Sequence, residues 1–511
     1  MDKNKKMTIT LVGTYRKACK KWIQEKMLYN YPIAKTGDRN FNPEIITHLF
    51  LHNGKMKLLK FGASLLKTVG VSELKALGYP VSDKPQSDKY ALFALTPYSA
   101  GDAGVKRTKS SKSICYDQFI VSLSDFIAKD EDKAILSHWV HNKETPFAKS
   151  YEKRVKKLLS KELMDYFTRG NVLCESAVQQ TFFPELFDVP FPPPENPKFT
   201  FVDLFAGIGG FRIAMQRLGG KCVFSSEWDE AAKKSYLVNY GEVPFGDITK
   251  DEVKAMIPEK FDILCGGFPC QAFSIAGYRE GFNDKKNRGN LFFDIAQIIN
   301  EHKPRAFLLE NVKNLKAHDG GKTYTIIEEA LRALGYHVKA MVLNTMEYGN
   351  VPQNRERIYI VGFSDPKIAE RFEFPKKTPL TRTIHDCLIN GVNPKYYYLT
   401  DKQLGRQLDD EIKRKDTVYQ WRRIYVRENK NNVCPTLTAN MGMGGHNVPL
   451  IRDDKGVRKL TPRECANFQG YPESFILPSI ADSSLYKQFG NSVSIPVLER
   501  VVHNMRRAID A

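Results

Sequence analysis

From residue 199 the chain alternates short, continuous apolar runs with amphipathic stretches. "FTFVDLF" reads as a strand, and after a glycine turn "FRIAMQRL" shows helical spacing and is stopped by "GG"; "KCVFSSEW" reads as the next strand. "FDILCGG" and "RAFLLEN" read as further strands, separated by the helical "NLFFDIAQIINEH". "YTIIEEALRALG" predicts another helix, "YHVKAMVLN" a strand, and "RERIYIVGF" a strand able to pair with it. Uniformly apolar strands alternating with helices predict βαβ units around a largely parallel sheet covered on both faces. The expected fold class is therefore α/β.

The same pattern marks the boundaries. Residues 187–200, "FDVPFPPPENPKFT", hold five prolines and no periodicity, so the chain is expected to divide into residues 1–190, a stiff linker over 191–198, and a core starting at 199. Residues 366–458 lose the alternation and become polar, basic and glycine-rich, which predicts a small domain inserted after a core of 199–365. A helical rhythm returns over 459–511, where "TPRECANFQGY" offers a Thr N-cap, Pro at the first helical position and Glu at the third. In the N-terminal part, "FNPEIITHLFLHNGKMKLLKFGASLLKTVG" and "KYALFALTPY" predict a mixed α/β accessory domain.

Charge changes this picture by suggesting a partner. The 511 residues carry a formal net charge of +19, and a polyanion is the commonest partner of so basic a chain. Residues 1–195 hold 31 Lys and Arg against 21 Asp and Glu, so both halves are basic. The nine cysteines, at 19, 115, 174, 222, 265, 270, 387, 434 and 465, form no C-x-x-C pair and no zinc-type cluster; no metal site is expected, and scattered thiols fit a reducing compartment. No apolar run approaches the roughly 18 to 20 residues of a membrane span, and the basic N-terminus lacks a signal-type apolar region, so a cytoplasmic location is expected.

Candidate chemistry clusters where the strands end. In "DLFAGIGGFRIAM", Gly207, Gly209 and Gly210 sit between strand and helix, fitting either a tight connection or close backbone approach to a ligand. Glu227, about twenty residues on at the end of the second strand, can hold both hydroxyls of a ribose. Asp247 in "GDIT" is placed for the same ligand or for capping a helix near Lys250. A nucleoside cofactor is implied. Cys270, in "GGFPCQAFSIAG", falls just beyond a strand end, whereas Cys265 falls inside the strand as a packing residue. Glu310 leaves the next strand at the same edge, where burial would raise its pKa and suit it to donate a proton. Arg355 and Arg357 in "QNRERIYIVG" are expected to share a face beside them.

Together these stretches resemble the DNA (cytosine-5)-methyltransferases of bacterial restriction-modification systems. "DLFAGIGGFR", "SEWD", "GDIT", "GGFPCQAFSIAG", "RGNLFFDI", "ENVKNL", "QNRERIYIVGF", "RKLTPRECANFQGYP" and "QFGNSVSIPV" occur in that family's order, over 199–365 and 459–511. The resemblance implies a Rossmann-like, S-adenosyl-L-methionine-dependent core with a mixed, mostly parallel sheet, and a target-recognition domain in the insert. It further implies that cytosine is flipped out of duplex DNA, that the Cys270 thiolate adds to C6, and that Glu310 acts at N3. Arg355 would hold the base carbonyl, with Arg357 anchoring the segment.

By the same resemblance Phe205, Gly207, Gly209, Glu227, Trp228, Asp247, Ile248, Pro269, Leu291, Asn491, Ser492 and Val493 would form the cofactor pocket. Gln271 and Ser274 would lie in a loop closing over the flipped base. Thr436 and Leu437 of "CPTLTANMGMGGHN" match the Thr-Leu segment of the recognition domain, and Arg422, Arg423 and Arg427 would meet guanine edges or phosphates. Implied partners are double-stranded DNA and a cognate restriction endonuclease acting on the same site, without direct contact. The enzyme is expected to work as a monomer associated with the nucleoid.

Three alternatives fit the sequence less well. An RNA-directed enzyme of this fold would carry a Cys-Phe-Thr segment in the insert, which is absent. A non-catalytic regulator would be expected to lose the nucleophile or cofactor acids, yet Cys270, Glu310, Arg355, Glu227 and Asp247 are all present. A nuclease in 1–195 would need a P-D-(x)n-(D/E)-x-K pattern, and none is clear. That domain's basic excess permits a DNA contact; a structural or partner-binding role is equally compatible.

Overall fold

The computed structural model describes residues 10–33, 48–52, 59–82, 85, 87–97, 115–116, 127, 129–142, 145, 148–158, 186, 189–268, 291–422, 424–442 and 448–511. The chain forms two compact units, Met1–Asp188 and Val189–Ala511.

Unit 1 is built on a six-stranded mixed sheet of β1 (Thr10–Thr14), β2 (Leu28–Ile33), β3 (His48–His52), β4 (Leu59–Gly70), β5 (Lys89–Pro97) and β6 (Cys115–Tyr116). Its order is β2-β5-β4-β3-β1-β6, with only β1 and β3 parallel. Helices α1 (Lys20–Lys26) and α2 (Val71–Ala76) contribute Trp22, Ile23 and Leu74 to a core with Leu49, Leu51, Ala91 and Phe93. Two further helices, α3 (Asp130–Asn142) and α4 (Ala148–Leu158), are joined by ion pairs from Arg154 to Glu131 and Asp132.

Unit 2 realises the alternating pattern. Its strands are β7 (Phe199–Leu204), β8 (Gly220–Ser225), β9 (Ile263–Gly267), β10 (Ala306–Val312), β11 (His337–Asn344) and β12 (Glu356–Phe363), in the order β11-β12-β10-β9-β7-β8. Strands β8, β7, β9 and β10 run parallel, and β12 is inserted antiparallel between β10 and β11. The connections carry α5 (Gly210–Arg217), α6 (Glu230–Tyr240), α7 (Asp251–Lys254), α8 (Leu291–His302), α9 (Lys322–Ala333) and α10 (Thr345–Tyr348). Local sequence sets their ends: Asp229 caps α6 by accepting from the amides of Ala231 and Ala232, and Gly241 closes it at φ 66°. Successive crossovers leave β7 in opposite directions, so a crevice opens beyond the carboxyl ends of β7 and β9.

The proline-rich segment lies on unit 2. The Phe191 amide donates to Asn239 O at 3.0 Å, and its ring packs 5.8 Å from that of Tyr240. The region after 366 also starts inside the core: in α11 (Pro366–Arg371) Arg371 donates to Ala508 O, on α15 (Ile495–Asp510). Two turns of helix are too short to show periodicity in the sequence. A second, smaller core follows, formed by α12 (Gln403–Glu411) and an antiparallel sheet of β13 (Tyr419–Trp421), β14 (Val426–Glu428), β15 (Leu450–Asp453) and β16 (Gly456–Lys459), around Leu408, Ile412, Tyr419, Leu450 and Val457. The chain returns through α13 (Pro462–Phe468), where Thr461 and Glu464 complete the expected capping box, and α14 (Asp482–Asn491). Among the described residues no helix is long and apolar enough to cross a membrane.

Candidate active site

The turn between β7 and α5 is tightly wound. Phe205, Gly207 and Gly209 all have left-handed backbone, at φ 53°, 55° and 80°. For Phe205 that conformation costs on the order of 1 to 2 kcal/mol, so the surroundings must enforce it. The two glycines serve different ends. A Cβ on Gly209 would lie 2.3 to 2.5 Å from the Tyr240 ring and hydroxyl, and that hydroxyl donates to Ile208 O and Gly209 O at 3.2 and 2.8 Å. Gly209, expected at the cofactor, is thus required by packing behind the turn. At Gly207 the Cβ position is open, its nearest heavy atom 4.0 Å away, so this backbone is free to meet a ligand.

Glu227 stands across the crevice at the end of β8. One carboxylate oxygen accepts from the Gly207 amide at 2.8 Å, the other from the Trp228 and Asp229 amides at 2.9 and 2.8 Å. Burial raises its pKa, while the three amides oppose the rise. These bonds fix the carboxylate and leave acceptor capacity for ligand hydroxyls. Trp228 beside it is 75% exposed, an indole face with little over it. Asp247 caps no helix: it accepts from the Thr249 amide and hydroxyl at 3.0 and 2.9 Å in a local turn, and Lys250 occupies the N-cap position of α7 without a side-chain bond. The Ile248 side chain is buried, so only its backbone can face a ligand.

Leu291 is half-buried at the start of α8, and Asn491 is exposed at the end of α14. Ser492 bonds Tyr471 through its hydroxyl at 2.6 Å, and Val493 packs against the α-carbon of Gly210. An exposed indole, a fixed carboxylate and bare glycine backbone fit a nucleoside with a small polar tail. Pro269, Cys270, Gln271, Ser274 and Arg423 lie outside the described residues.

Glu310 lies within β10, opposite Gly267 of β9 and Tyr359 of β12. Only 7% of it is exposed. Burial raises its pKa, and the charges of Arg357 and Arg355 pull it part of the way back. Arg357 Nε lies 3.1 Å from Glu310 Oε1, within ion-pair distance but not aligned for a hydrogen bond, so Oε1 keeps no hydrogen-bond partner. Neighbouring Asn311 donates from Nδ2 to Phe268 O at 2.9 Å, fixing the chain as it leaves β9 toward Cys270.

Arg355 does not play the part expected of it. It precedes β12, is 2% exposed, and donates to the backbone carbonyls of Leu437 and Gly490 at 3.0 and 3.3 Å and to that of Ser492. Desolvation, followed by the Arg357 charge, pushes its pKa down to about 9. A guanidinium committed to three carbonyls ties chain segments together and has little left for a substrate; Arg357 is the arginine beside the acid. Leu437 needs the same correction: its side chain is 1% exposed in the core and cannot meet DNA. The Thr436 hydroxyl donates to Asn354 O at 2.7 Å.

On the smaller sheet, Arg422 and Arg427 are exposed around the turn of the β13–β14 hairpin. Sequence reasoning passed over the residues between them: Ile424 is 83% and Tyr425 57% exposed. The signal was an apolar pair set among cations in an otherwise polar stretch. Tyr240 was also missed, because its partners are backbone atoms distant in sequence.

Comparison with known proteins agrees with this geometry. Residues 199–507 match the family model described as C-5 cytosine-specific DNA methylase. The chain is 50% identical over 311 residues to the type II methyltransferase M.Bsp6I of Bacillus sp. (strain RFL6), covering 60% of this chain and 98% of that protein. It is 46% identical over 357 residues to M.HpaII of Haemophilus parainfluenzae (64% and 94% covered) and 42% identical over 326 residues to M.HhaI of Haemophilus parahaemolyticus (61% and 95% covered).

Proposed function

The chain belongs to the C-5 cytosine-specific DNA methylase family, and on that premise we propose that Cys270, Glu310 and Arg357 carry its chemistry while the β7–α5 turn, Glu227 and Trp228 hold S-adenosyl-L-methionine. When bound, the cofactor supplies an electrophilic methyl group. Glu227 would take the ribose hydroxyls, Trp228 the adenine face, Asp247 and the Ile248 backbone the adenine edge, and the Gly207 backbone the methionine portion. Pro269, Leu291 and the 491–493 segment would complete the pocket.

The reacting base must leave the duplex, since no side chain can reach C6 within the stack. Cys270 follows Gly267, the register partner of Glu310, by three residues. Its thiolate would bond to C6 as the Glu310 proton passes to N3, so the ring accepts the electron pair without building up negative charge. The raised pKa of Glu310 favours the protonated form this requires. Arg357 would steady the acid and hold the base carbonyl. Once C5 is methylated, loss of the C5 proton and cleavage of the S–C6 bond restore the aromatic ring and free Cys270.

For DNA contact we place Arg422, Arg423 and Arg427 against phosphates or base edges, Ile424 and Tyr425 at the base stack as apolar wedges, and Gln271 and Ser274 beside the flipped base. We further propose that the enzyme works as a monomer on cytoplasmic DNA, shielding one sequence from an endonuclease of matching specificity.

The observation that carries this reading is the buried Glu310 carboxyl, raised in pKa and with an unpartnered oxygen beside Arg357. Glu310→Gln should slow single-turnover methyl transfer by about 10²- to 10⁴-fold and leave the Kd for DNA within a few-fold. Equal losses in rate and binding would overturn its role as the acid.

A further inference from the structure

Unit 1 lies outside the family match, yet it carries more than its share of charge. Residues 1–188 hold 31 Lys and Arg against 20 Asp and Glu, an excess of 11 out of the chain's +19. Helix α4 concentrates part of that excess. Lys149, Lys153, Lys156 and Lys157 follow i, i+4, i+7, i+8 spacing and so occupy one face, about 100° wide. All four are exposed, while Tyr151 and Val155 on the opposite side are buried.

The helix is held in that orientation. Arg154 reaches Glu131 and Asp132 of α3 at 2.7 and 3.2 Å, which turns the lysine face outward. Lys156 pairs with Glu152, and among the described residues Lys149, Lys153 and Lys157 have no carboxylate at ion-pair distance. An amphipathic helix needs polar residues outside, but it does not need four of one sign. Packing and solubility are served equally by the mixed charges seen on α1, where Lys21 pairs with Glu25.

We propose that the α4 lysine face is a second DNA contact, one that grips duplex phosphates without reading sequence. From Lys149 to Lys157 the helix advances about 12 Å, and that length of duplex presents roughly seven phosphates. Three unpaired ammonium groups therefore meet enough anionic sites to displace about three counterions. The inference rests on DNA being the substrate, and it gives unit 1 the task of raising residence on DNA while unit 2 finds and methylates its site.

The test uses the full-length protein and a 24-base-pair duplex containing only dA and dT, which offers no cytosine. Binding is measured from 50 to 200 mM NaCl for the parent and for the K149Q/K153Q/K157Q variant. The slope of log Kobs against log salt should become shallower by about 2.7, so that over this range the parent loses roughly 40-fold more affinity than the variant. A K149R/K153R/K157R variant should keep the parental slope, and single-turnover methylation of saturating cytosine-containing DNA should be unchanged in both. A slope change below about one overturns the proposal. So does loss of binding to phosphatidylserine vesicles with the DNA slope intact, which would assign the face to a membrane. Absence of methylation by the parent protein would instead refute the reading of unit 2, because the dA/dT measurement does not depend on it.

Discussion

Asp203, on β7 just before the strained turn, allows a prediction about stability that follows from one buried carboxyl. It is fully buried; the Cys265 thiol donates to Oδ1 at 3.8 Å, and Oδ2 has no partner. Desolvation dominates, against the opposing charge of Arg212, and lifts the pKa from 3.8 to about 8. The folded chain therefore keeps a proton that the unfolded chain releases at every pH between these values. Stability must then fall as pH rises, by about 1.4 kcal/mol per unit, beginning near the unfolded pKa and levelling off once the folded pKa is passed.

Asp203→Asn keeps the shape and removes the titration, so comparison of the two proteins isolates the effect. At pH 5 the carboxyl costs about 2 kcal/mol and at pH 7 about 4 kcal/mol. The stability of the variant relative to the parent should rise by about 2 to 3 kcal/mol between the two pH values. Urea unfolding of the full-length protein, read by hydrogen-exchange mass spectrometry of peptides from β7 and β9, measures this in the correct unit. A difference that stays constant within about 0.5 kcal/mol from pH 5 to pH 7 would refute the argument, because it would mean that Asp203 is ionised in the folded state.

Two further contrasts follow from the site. Arg357→Lys should slow single-turnover methylation more than tenfold with little change in Tm, whereas Arg355→Lys should lower stability by about 2 to 4 kcal/mol because buried carbonyls lose donors; an unaltered Tm for the Arg355 variant would count against its structural role. Gly209→Ala, which drives a methyl group into Tyr240 at 2.3 Å, should cost about 2 to 4 kcal/mol in urea unfolding. Gly207→Ala should cost about 1 kcal/mol, for its backbone conformation alone, and should weaken S-adenosylmethionine binding measured by calorimetry. Similar costs at both glycines would erase the distinction drawn between packing and ligand approach.

The strands of the central sheet were legible because the parallel ones are buried on both faces and must be apolar throughout. Glu227 and Glu310 could be singled out for a related reason: a charged residue at the end of an apolar run has few structural excuses. The assignment of the two arginines was not legible. Alternation within a strand predicts a shared face, but β12 begins at Glu356, so Arg355 lies outside the strand and follows the carbonyls of residues 437, 490 and 492. Those partners are more than eighty residues away in sequence, and main-chain carbonyls leave no trace in side-chain identity. Leu437 was misread similarly, since a matching dipeptide says nothing about which side chain turns inward. The run "KRVKKL" reads in the sequence as no more than a solvated helix face, and only Arg154 pairing into α3 fixes which way its lysines point.

Strand register places the acid and its arginine. Glu310 and Arg357 sit on adjacent antiparallel strands, with Arg357 directly opposite Val312, so their separation is set by backbone pairing. Arg422 and Arg427, proposed to meet phosphates or base edges, stand instead at the tip of a short hairpin in a separate small sheet. Substitutions or insertions at that tip leave every hydrogen bond of the central sheet in place. A lineage can therefore remodel a proposed DNA contact by changing a few surface residues, without passing through an intermediate whose central sheet has been disturbed.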